Sequence, residues 1–216
     1  MVMEKLKVNP AKVHGRYVYH AVKRLCDIIA SAIGLILLSP LFLFLIIKIR
    51  HGDGGPAFYS QERIGKDEKP FKMWKFRSMV VNADQMIDQL EDQNEINGAM
   101  FKIKDDPRIT KIGHTIRKYS LDELPQLWNV LIGDMSLVGP RPPLPSEVEE
   151  YTDYDKQRLL VMPGCTGLWQ VTKRNEADFD EMVWLDIVYI NHSGLLEDLK
   201  LIIKTIGVVI HPNGAY

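Results

Sequence analysis

The 216-residue sequence predicts an α+β protein, mostly helical, held at a membrane surface by a broken apolar helix. Three observations carry that prediction. An apolar run from Ile28 to Ile49 is interrupted by Ser39-Pro40. The stretch Pro70–Arg77, rich in aromatics and cations, has the composition of a strand. The C-terminal half alternates helix-length periodic segments with Gly/Pro punctuation.

Residues 1–24 form a basic arm carrying Lys5, Lys7, Lys12, Arg16, Lys23 and Arg24. Val8, Val13 and Tyr17 fall at roughly helical spacing there, although Pro10 and Gly15 interrupt it. The apolar run follows. A hydrocarbon core takes roughly 20 helical residues to cross, so the run is just long enough. Pro40 removes a backbone donor and clashes with the carbonyl four residues back, so the helix should kink. Ser39 supplies a hydroxyl that can satisfy a freed backbone group. Lys48 and Arg50 close the run, leaving both flanks basic. Basic flanks favour the cytoplasmic side. A re-entrant helix that enters, bends and returns to one face satisfies both observations; a signal anchor with a tolerated proline is the alternative. A cleavable signal peptide does not fit, because the apolar run is too long and no small-residue cleavage site follows.

His51-Gly-Asp-Gly-Gly-Pro56 is a turn that ends the membrane segment. After the Pro70–Arg77 strand, Asn82 starts a polar helix running to about Asn94. Ile96–Asp106 is a loop or extended segment, Asp105-Asp106-Pro107 a turn, and Gly113 punctuates the next helix. Ser120–Leu131 is predicted as one helix. Gly133–Pro145 is a Gly/Pro-rich loop of the kind that positions functional groups. A helix over Tyr151–Leu160 ends at Pro163-Gly164. Two more, Phe179–Ile190 and Leu195–Ile206, are separated by Asn191-His192-Ser193-Gly194. In the last, Leu195, Leu199, Ile202, Ile203 and Ile206 form an apolar stripe. It packs on a core or lies in a membrane interface; beside an anchored N-terminus, an interfacial role for part of it is favoured. The later apolar segment Leu199–Ile210 is too short to cross and carries Lys200 and Lys204.

The net charge of −1 excludes a globally basic nucleic-acid binder, while the basic arm suits an anionic leaflet. The two cysteines, Cys26 and Cys165, make no disulfide framework and no metal spacing. Reduced thiols agree with a cytoplasmic catalytic domain. No histidine shows metal or triad spacing.

The chemistry-bearing motif is Ser120-Leu-Asp122-Glu123-Leu-Pro-Gln-Leu-Trp. Ser-x-x-Glu is a capping box, and acids in a first helical turn complement the dipole. A helix N-terminus is also an anion site. Arg117 lies five residues before Asp122 and can grip phosphate oxygens. Arg141, in Gly139-Pro-Arg-Pro-Pro, offers another guanidinium on a rigid turn. A carboxylate beside cations and a phosphoryl group suits nucleophilic attack at phosphorus through an acyl phosphate. Charge neutralisation then calls for magnesium, which takes one or two carboxylates plus substrate phosphates; Asp122 and Glu123 are the candidate ligands. The segment Lys72-Met-Trp-Lys75-Phe-Arg77 reads either as a half-buried strand with a cationic edge or as a phosphate or nucleotide contact. Its shortness disfavours nucleic acid. Asp153-Tyr-Asp155 matches the metal-binding pair of nucleotide-sugar glycosyltransferases but lacks the preceding βαβ units.

Taken in order, six blocks of the chain resemble the monotopic phosphoglycosyl transferases, the bacterial sugar transferase family that primes exopolysaccharide and O-antigen synthesis. They are Lys23-Arg24-x-x-Asp27, the central Ser39-Pro40, Lys75-Phe-Arg-Ser-Met79, Ser120-Leu-Asp-Glu-Leu-Pro-Gln126, Gly133-Asp-Met-Ser-Leu-Val-Gly-Pro-Arg-Pro142 and Pro163-Gly-Cys-Thr-Gly-Leu-Trp-Gln-Val171. The resemblance implies transfer of a sugar-1-phosphate from a UDP-sugar to polyprenyl phosphate, releasing UMP. It implies a re-entrant helix bent at Ser39-Pro40, a lipid-bilayer location at the bacterial inner membrane, and a catalytic domain facing the cytoplasm. It makes Asp122 the nucleophile of an Asp-Glu dyad with Glu123, working through a covalent phosphosugar intermediate with Mg2+. Arg117 and Arg141 match arginines lining the phosphate site. Lys75, Arg77 and Gln126 of the matching blocks are further candidate substrate contacts. Lys23 and Arg24 could hold a lipid phosphate or act as plain interfacial anchors.

The expected domains are therefore residues 1–50, basic arm and re-entrant helix, and residues 51–216, a cytoplasmic catalytic domain with C-terminal amphipathic helices. Lys173-Arg174-Asn175 departs from the usual Gly-Arg-Asn, whereas Gly214-Ala-Tyr216 resembles the ends of exopolysaccharide-type members. Larger relatives carry N-terminal spanning helices and an extra domain, so the sequence is expected to be a minimal member or the core of a longer one. The sugar, the lipid length and the oligomeric state, a homodimer included, stay open. Two other readings stand beside this one: a non-enzymatic membrane-tethered scaffold, and a single-span Asp-x-Asp glycosyltransferase releasing UDP.

Overall fold

In the computed structural model, residues 6–86, 106–173 and 177–210 are described. The elements below are numbered among those residues. Helix α1 (Pro10–His14) starts with a proline at its first position and an Asn9 side chain that accepts from the Lys12 amide, two standard N-terminal devices. Helix α2 (Tyr17–Leu37) and helix α3 (Ser39–Asp53) follow, bent by 59° at their junction. Pro40 has no amide to offer the Ile36 carbonyl four residues back. The Ser39 hydroxyl donates to that carbonyl at 2.7 Å instead. The break thus lies at the expected Ser-Pro step. The helical pair is longer than the apolar run, and α3 passes the expected boundary at residue 50 to end at a left-handed Gly54 (φ 74°).

No single described helix is long and apolar enough to cross a membrane, but the bent pair meets that test by length and composition. Its outward residues are apolar: Val18, Leu25, Ile29, Ile33 and Ile36 on α2, Leu43, Phe44 and Ile47 on α3, all exposed. Its inward residues, Asp27, Ser31, Leu45 and Ile49, are buried. Leu45 and Ile49 pack with Ala57, Phe76 and Ile116.

Strand β1 (Phe58–Ile64) pairs antiparallel with β2 (Pro70–Phe76), from Phe58 opposite Phe76 to Ile64 opposite Pro70. Arg77, just past β2, is buried. Its Nη1 and Nη2 donate to both oxygens of Asp53 at 2.5 and 2.6 Å, its Nε to the Pro56 carbonyl and its Nη1 also to the Met79 carbonyl. Every guanidinium nitrogen is used in stapling the end of α3 to the hairpin. Arg77 was expected among the substrate contacts; in the fold its donors are committed to Asp53 and two backbone carbonyls.

Helix α4 (Lys111–Lys118) is capped by the Thr110 hydroxyl, which accepts from the Gly113 amide. Gly113 is required there, because a Cβ would sit 1.9 Å from the Ser78 carbonyl oxygen. Helix α5 (Gln126–Ile132), strand β3 (Ser136–Val138) and the short helix α6 (Pro145–Glu149) come next. Strand β4 (Gly164–Thr166) pairs parallel with β3. Helices α7 (Leu168–Thr172), α8 (Phe179–His192) and α9 (Leu195–Ile210) complete the described chain.

The architecture is mostly helical with few strands, as the α+β prediction requires, but several local expectations change. The helix from Asn82 is described only in its first turn, a 3-10 turn over Ala83–Met86; its remainder, the 96–105 segment, Arg174-Asn175 and Gly214–Tyr216 lie outside the described residues. The predicted Tyr151–Leu160 helix is a 3-10 segment over Asp155–Leu160. Asp155 Oδ2 accepts from the amide and hydroxyl of Thr152, a local cap that also gives this half of the Asp-x-Asp pair a structural partner. The predicted loop 133–145 contains β3.

Val8 and Val13 of the basic arm are buried in the main apolar core with Val138, Val183, Ile187, Ile190 and Leu201. The stripe of α9 faces outward: Leu195, Leu199, Ile203 and Ile206 are exposed, and Ile202 packs at the core edge. Asp198 ties α9 to α2 and α8. It accepts from Lys23 at 2.8 Å, Tyr19 at 2.9 Å and Tyr189 at 2.7 Å. Arg24 donates to the Val130 and Leu131 carbonyls at the end of α5.

Asp53 is a quarter exposed and water can solvate it once its partner is gone, so the cost of losing the buried Arg77 lies chiefly in the hydrogen bonds to the Pro56 and Met79 carbonyls. Arg77→Met should lower stability by about 2 kcal/mol. Thermal unfolding of detergent-solubilised protein measures it; an unchanged melting temperature would contradict the staple.

Candidate active site

The Asp122-Glu123 pair lies on a three-residue 3-10 turn, Leu121–Glu123, between α4 and α5. The expected capping box does not form. Ser120 adopts a left-handed backbone (φ 53°) and its side chain makes no cap. The turn closes through backbone bonds, Glu123 amide to Ser120 carbonyl and Leu124 amide to Leu121 carbonyl, both 3.3 Å. Pro125 has no amide to extend the turn, so α5 begins only at Gln126. The predicted Ser120–Leu131 helix is thus two pieces. A three-residue turn has no macrodipole worth invoking, so the charges around the dyad must come from side chains.

Lys75 supplies the first. Its Nζ meets Glu123 Oε1 at 2.7 Å, across from β2 to the turn. Two bonds to Asn129 on α5 fix β2 on either side of Met73. The Trp74 amide donates to Asn129 Oδ1 at 3.0 Å, and Asn129 Nδ2 donates to the Lys72 carbonyl at 2.7 Å. Asn129 is fully buried, so its amide closes a strand edge that would otherwise have no partner.

The two carboxyls titrate apart. Burial raises Asp122 to about 6, with the charge of Glu123 adding to it and Lys75 and Arg117 opposing. Burial acts on Glu123 too, but Lys75, Arg141 and Arg63 outweigh it and pull it down to about 2. Glu123 is therefore a fixed anion at neutral pH, whereas Asp122 sits within reach of its protonated form. Among the described residues no other side chain hydrogen-bonds the Asp122 carboxylate.

Arg63 was not singled out by the sequence. It is buried on β1, donates to the Pro142 carbonyl at 3.1 Å and to Gln61 Oε1 at 2.7 Å, and its charge acts on Glu123. Burial and the nearby Arg141 bring its pKa down to about 10, which leaves it cationic at neutral pH. In the sequence it is one cation in Gln-Glu-Arg-Ile, and only the hairpin pairing brings it to the dyad.

Of the predicted site residues, the fold brings Asp122, Glu123, Lys75, Arg117 and Arg141 into one electrostatic group. Gln126 is buried in the first turn of α5, three residues beyond Glu123. Arg77, Lys23 and Arg24 have the partners given above. Lys23 and Arg24 also line a separate cavity of about 240 Å³ beside α2, with His20 and Lys66, that includes neither dyad residue. Ser39 and Pro40 act at the helix break.

Among the described residues no cluster of three or more His, Cys, Asp or Glu groups exists to hold a metal. Asp122 and Glu123, hard oxygen donors on consecutive residues, are the side chains that would hold an Mg2+ ion there.

A like charge next to Asp122 raises its pKa, so Glu123→Gln should lower it from about 6 towards, but not to, the ordinary carboxyl value, since burial persists. Carboxyl carbon NMR of the labelled protein measures the midpoint. A wild-type midpoint near 4 would contradict the burial.

Comparison with known proteins adds the following findings. Residues 18–212 match the family model described as bacterial sugar transferase. A galactosyl transferase CpsE of Streptococcus agalactiae is 50% identical over 201 residues, 93% of this chain and 44% of that protein. An undecaprenyl-phosphate galactose phosphotransferase of Salmonella typhimurium is 44% identical over 220 residues, 100% of this chain and 45% of that protein. An exopolysaccharide production protein ExoY of Rhizobium meliloti is 40% identical over 198 residues, covering 90% of this chain and 88% of its own. The chain spans less than half the length of the first two relatives.

Proposed function

The chain belongs to the bacterial sugar transferase family, and we propose that it transfers a sugar-1-phosphate from a UDP-sugar to polyprenyl phosphate, releasing UMP. The observation that carries this reading is the Asp122 carboxylate: nine-tenths buried, free of side-chain hydrogen bonds among the described residues, and facing the charges of Lys75 and Arg117, while Arg141 and Arg63 act on the adjacent Glu123.

In the first half-reaction an Asp122 oxygen attacks the phosphorus that bears the sugar. The bond from that phosphorus to the bridging oxygen breaks, and UMP leaves with the electron pair. Asp122 now carries the phosphosugar as an acyl phosphate. In the second, an oxygen of polyprenyl phosphate attacks the same phosphorus, and the Asp122 carboxylate departs. Mg2+ bound by Asp122 and Glu123 would neutralise the diphosphate oxygens. Arg117 and Arg141 grip phosphate oxygens by charge-assisted hydrogen bonds. Glu123, held ionised by Lys75, cannot act as an acid; it holds Lys75 in place beside Asp122.

A lipid substrate and a soluble nucleotide must reach this one carboxylate in turn. The exposed apolar faces of α2, α3 and α9 support a site at the inner-membrane surface, with the bent pair re-entering from the cytoplasmic face. Lys23 and Arg24, beside the cavity along α2, would lie at the lipid headgroups. The Salmonella relative is named for galactose, which makes UDP-galactose the first donor to try.

UMP release from a panel of UDP-sugars, with and without polyprenyl phosphate, tests the activity. The expected result is sustained UMP release only with the lipid, lost by about 10⁴-fold or more in Asp122→Asn. Release of UDP would point to an Asp-x-Asp glycosyltransferase, and no nucleotide release to a scaffold. Either would overturn the reading. Accessibility labelling at Met1 and His51 tests the topology separately: both should be cytoplasmic, and a periplasmic Met1 would overturn the re-entrant helix.

A further inference from the structure

The segment Pro140-Arg141-Pro142-Pro143 contains three prolines, so it has almost no amides with which to fix itself. Its carbonyls are held from outside instead, one by one. Pro140 accepts from the Gly164 amide at 2.8 Å, Arg141 from Arg158 Nη2 at 3.3 Å, Pro142 from Arg63 Nη1 at 3.1 Å and Pro143 from the Ile64 amide at 2.9 Å. The run is thereby gripped by β4, the hairpin and the Asp155–Leu160 turn at once. The one charged side chain on it, Arg141, acts on Glu123.

Arg158 is the unusual member of this grip. It is 2% exposed and pairs with Asp186, which is fully buried on α8, at 2.5 Å. A buried pair of this kind is often no more stabilising than apolar residues of the same volume. Nor is the pairing the best these groups could make. A bidentate fork would use two guanidinium nitrogens and both carboxylate oxygens. Here Arg158 Nε and Asp186 Oδ1 have no hydrogen-bond partner among the described residues. The guanidinium is turned so that Nη1 reaches the Tyr151 hydroxyl at 2.9 Å, while Nη2 serves both Asp186 and the Arg141 carbonyl. The orientation gives up half of a bidentate bridge and gains the loop.

We propose that Arg158, aimed by Asp186 and Tyr151, is a positioning residue that fixes the backbone of Arg141 and so places its guanidinium for the donor diphosphate. This rests on the reading of Arg141 as a phosphate contact.

The test is a double-mutant comparison on the full chain in detergent, with UDP-sugar kinetics as readout. Arg158→Met combined with Asp186→Leu removes both buried charges while roughly keeping volume. It should leave the melting temperature unchanged or higher, yet raise KM for the UDP-sugar about tenfold with a smaller effect on kcat. Arg158→Lys, which keeps the charge for Asp186 but cannot span three acceptors, should raise KM similarly. In an Arg141→Ala background neither change should cost anything further, because the residue they act through is gone. Additive losses in that background, or a wild-type KM in Arg158→Lys, would overturn the positioning role while leaving Arg141 as a phosphate contact. Wild-type kinetics in Arg141→Ala alone would instead remove the reading on which the proposal rests, and the proposal with it.

Discussion

The Lys75–Glu123 ion pair is the contact on which the site depends. Two carboxyls on consecutive residues of a tight turn repel one another, and burial penalises both. The lysine resolves this by taking one side. Lys75, with Arg141 and Arg63, favours the ionised form of Glu123, and burial raises the pKa of Asp122. A carboxylate that has lost water and gained no hydrogen-bonding side chain is a better nucleophile than a solvated one. The pair also joins β2 to the dyad turn. Asn129 braces β2 against α5 from behind, and Arg77 staples the far end of β2 to α3. A continuous set of contacts thus runs from the apolar helix pair to the Asp122-Glu123 turn.

For the proposed activity, that continuity would let one site serve two substrates of opposite solubility. The helix pair is bent at a step where Pro40 cannot satisfy the Ile36 carbonyl and Ser39 does. Its outward face is apolar, and its inward face carries Asp27, Ser31, Leu45 and Ile49 into the folded body. Asp27 accepts from the Leu137 amide on β3, at 3.0 Å, which fixes β3 against the helix and so the start of the Gly139–Pro143 loop. Lys23 and Asp198 tie the same helix to α9, whose exposed leucines and isoleucines extend the apolar surface. In the proposed arrangement the height of the Asp122 turn is set by the helices that would meet the lipid, without a long lever between them.

The sequence disclosed these parts unevenly, and the reasons are physical. The Ser-Pro break was legible because proline chemistry is local. The closeness of the carboxylate pair and Arg117 was legible too, because they share one short stretch. The strand that carries Lys75 was legible from its aromatics, but the pairing of Lys75 with Glu123 was not, since 48 residues separate them. The structural role of Arg77 was not legible: its sequence context equals that of Lys75, and only the return of the chain from α3 shows that Asp53 and two carbonyls take up its donors. Arg63 and Arg158 were missed because each acts through carbonyls far away in sequence. The capping box failed for a local reason that was visible but outweighed: Pro125 stops the helix that the box would have started, and Ser120 turns left-handed. The outward stripe of α9 was readable as a stripe, but its direction needed the core that Val8, Val183 and Leu201 build on the other side.

The central claim is that Asp122 bonds directly to phosphorus. Intact-protein mass spectrometry of wild type, incubated with UDP-sugar and Mg2+ but no lipid acceptor, tests it most directly. The expected result is a mass increase equal to one phosphosugar, localised by proteolysis to Asp122 and discharged when polyprenyl phosphate is added. Lipid-linked product forming at full rate while no adduct is ever trapped on Asp122 would contradict it, and would mean that the two substrates react with each other directly.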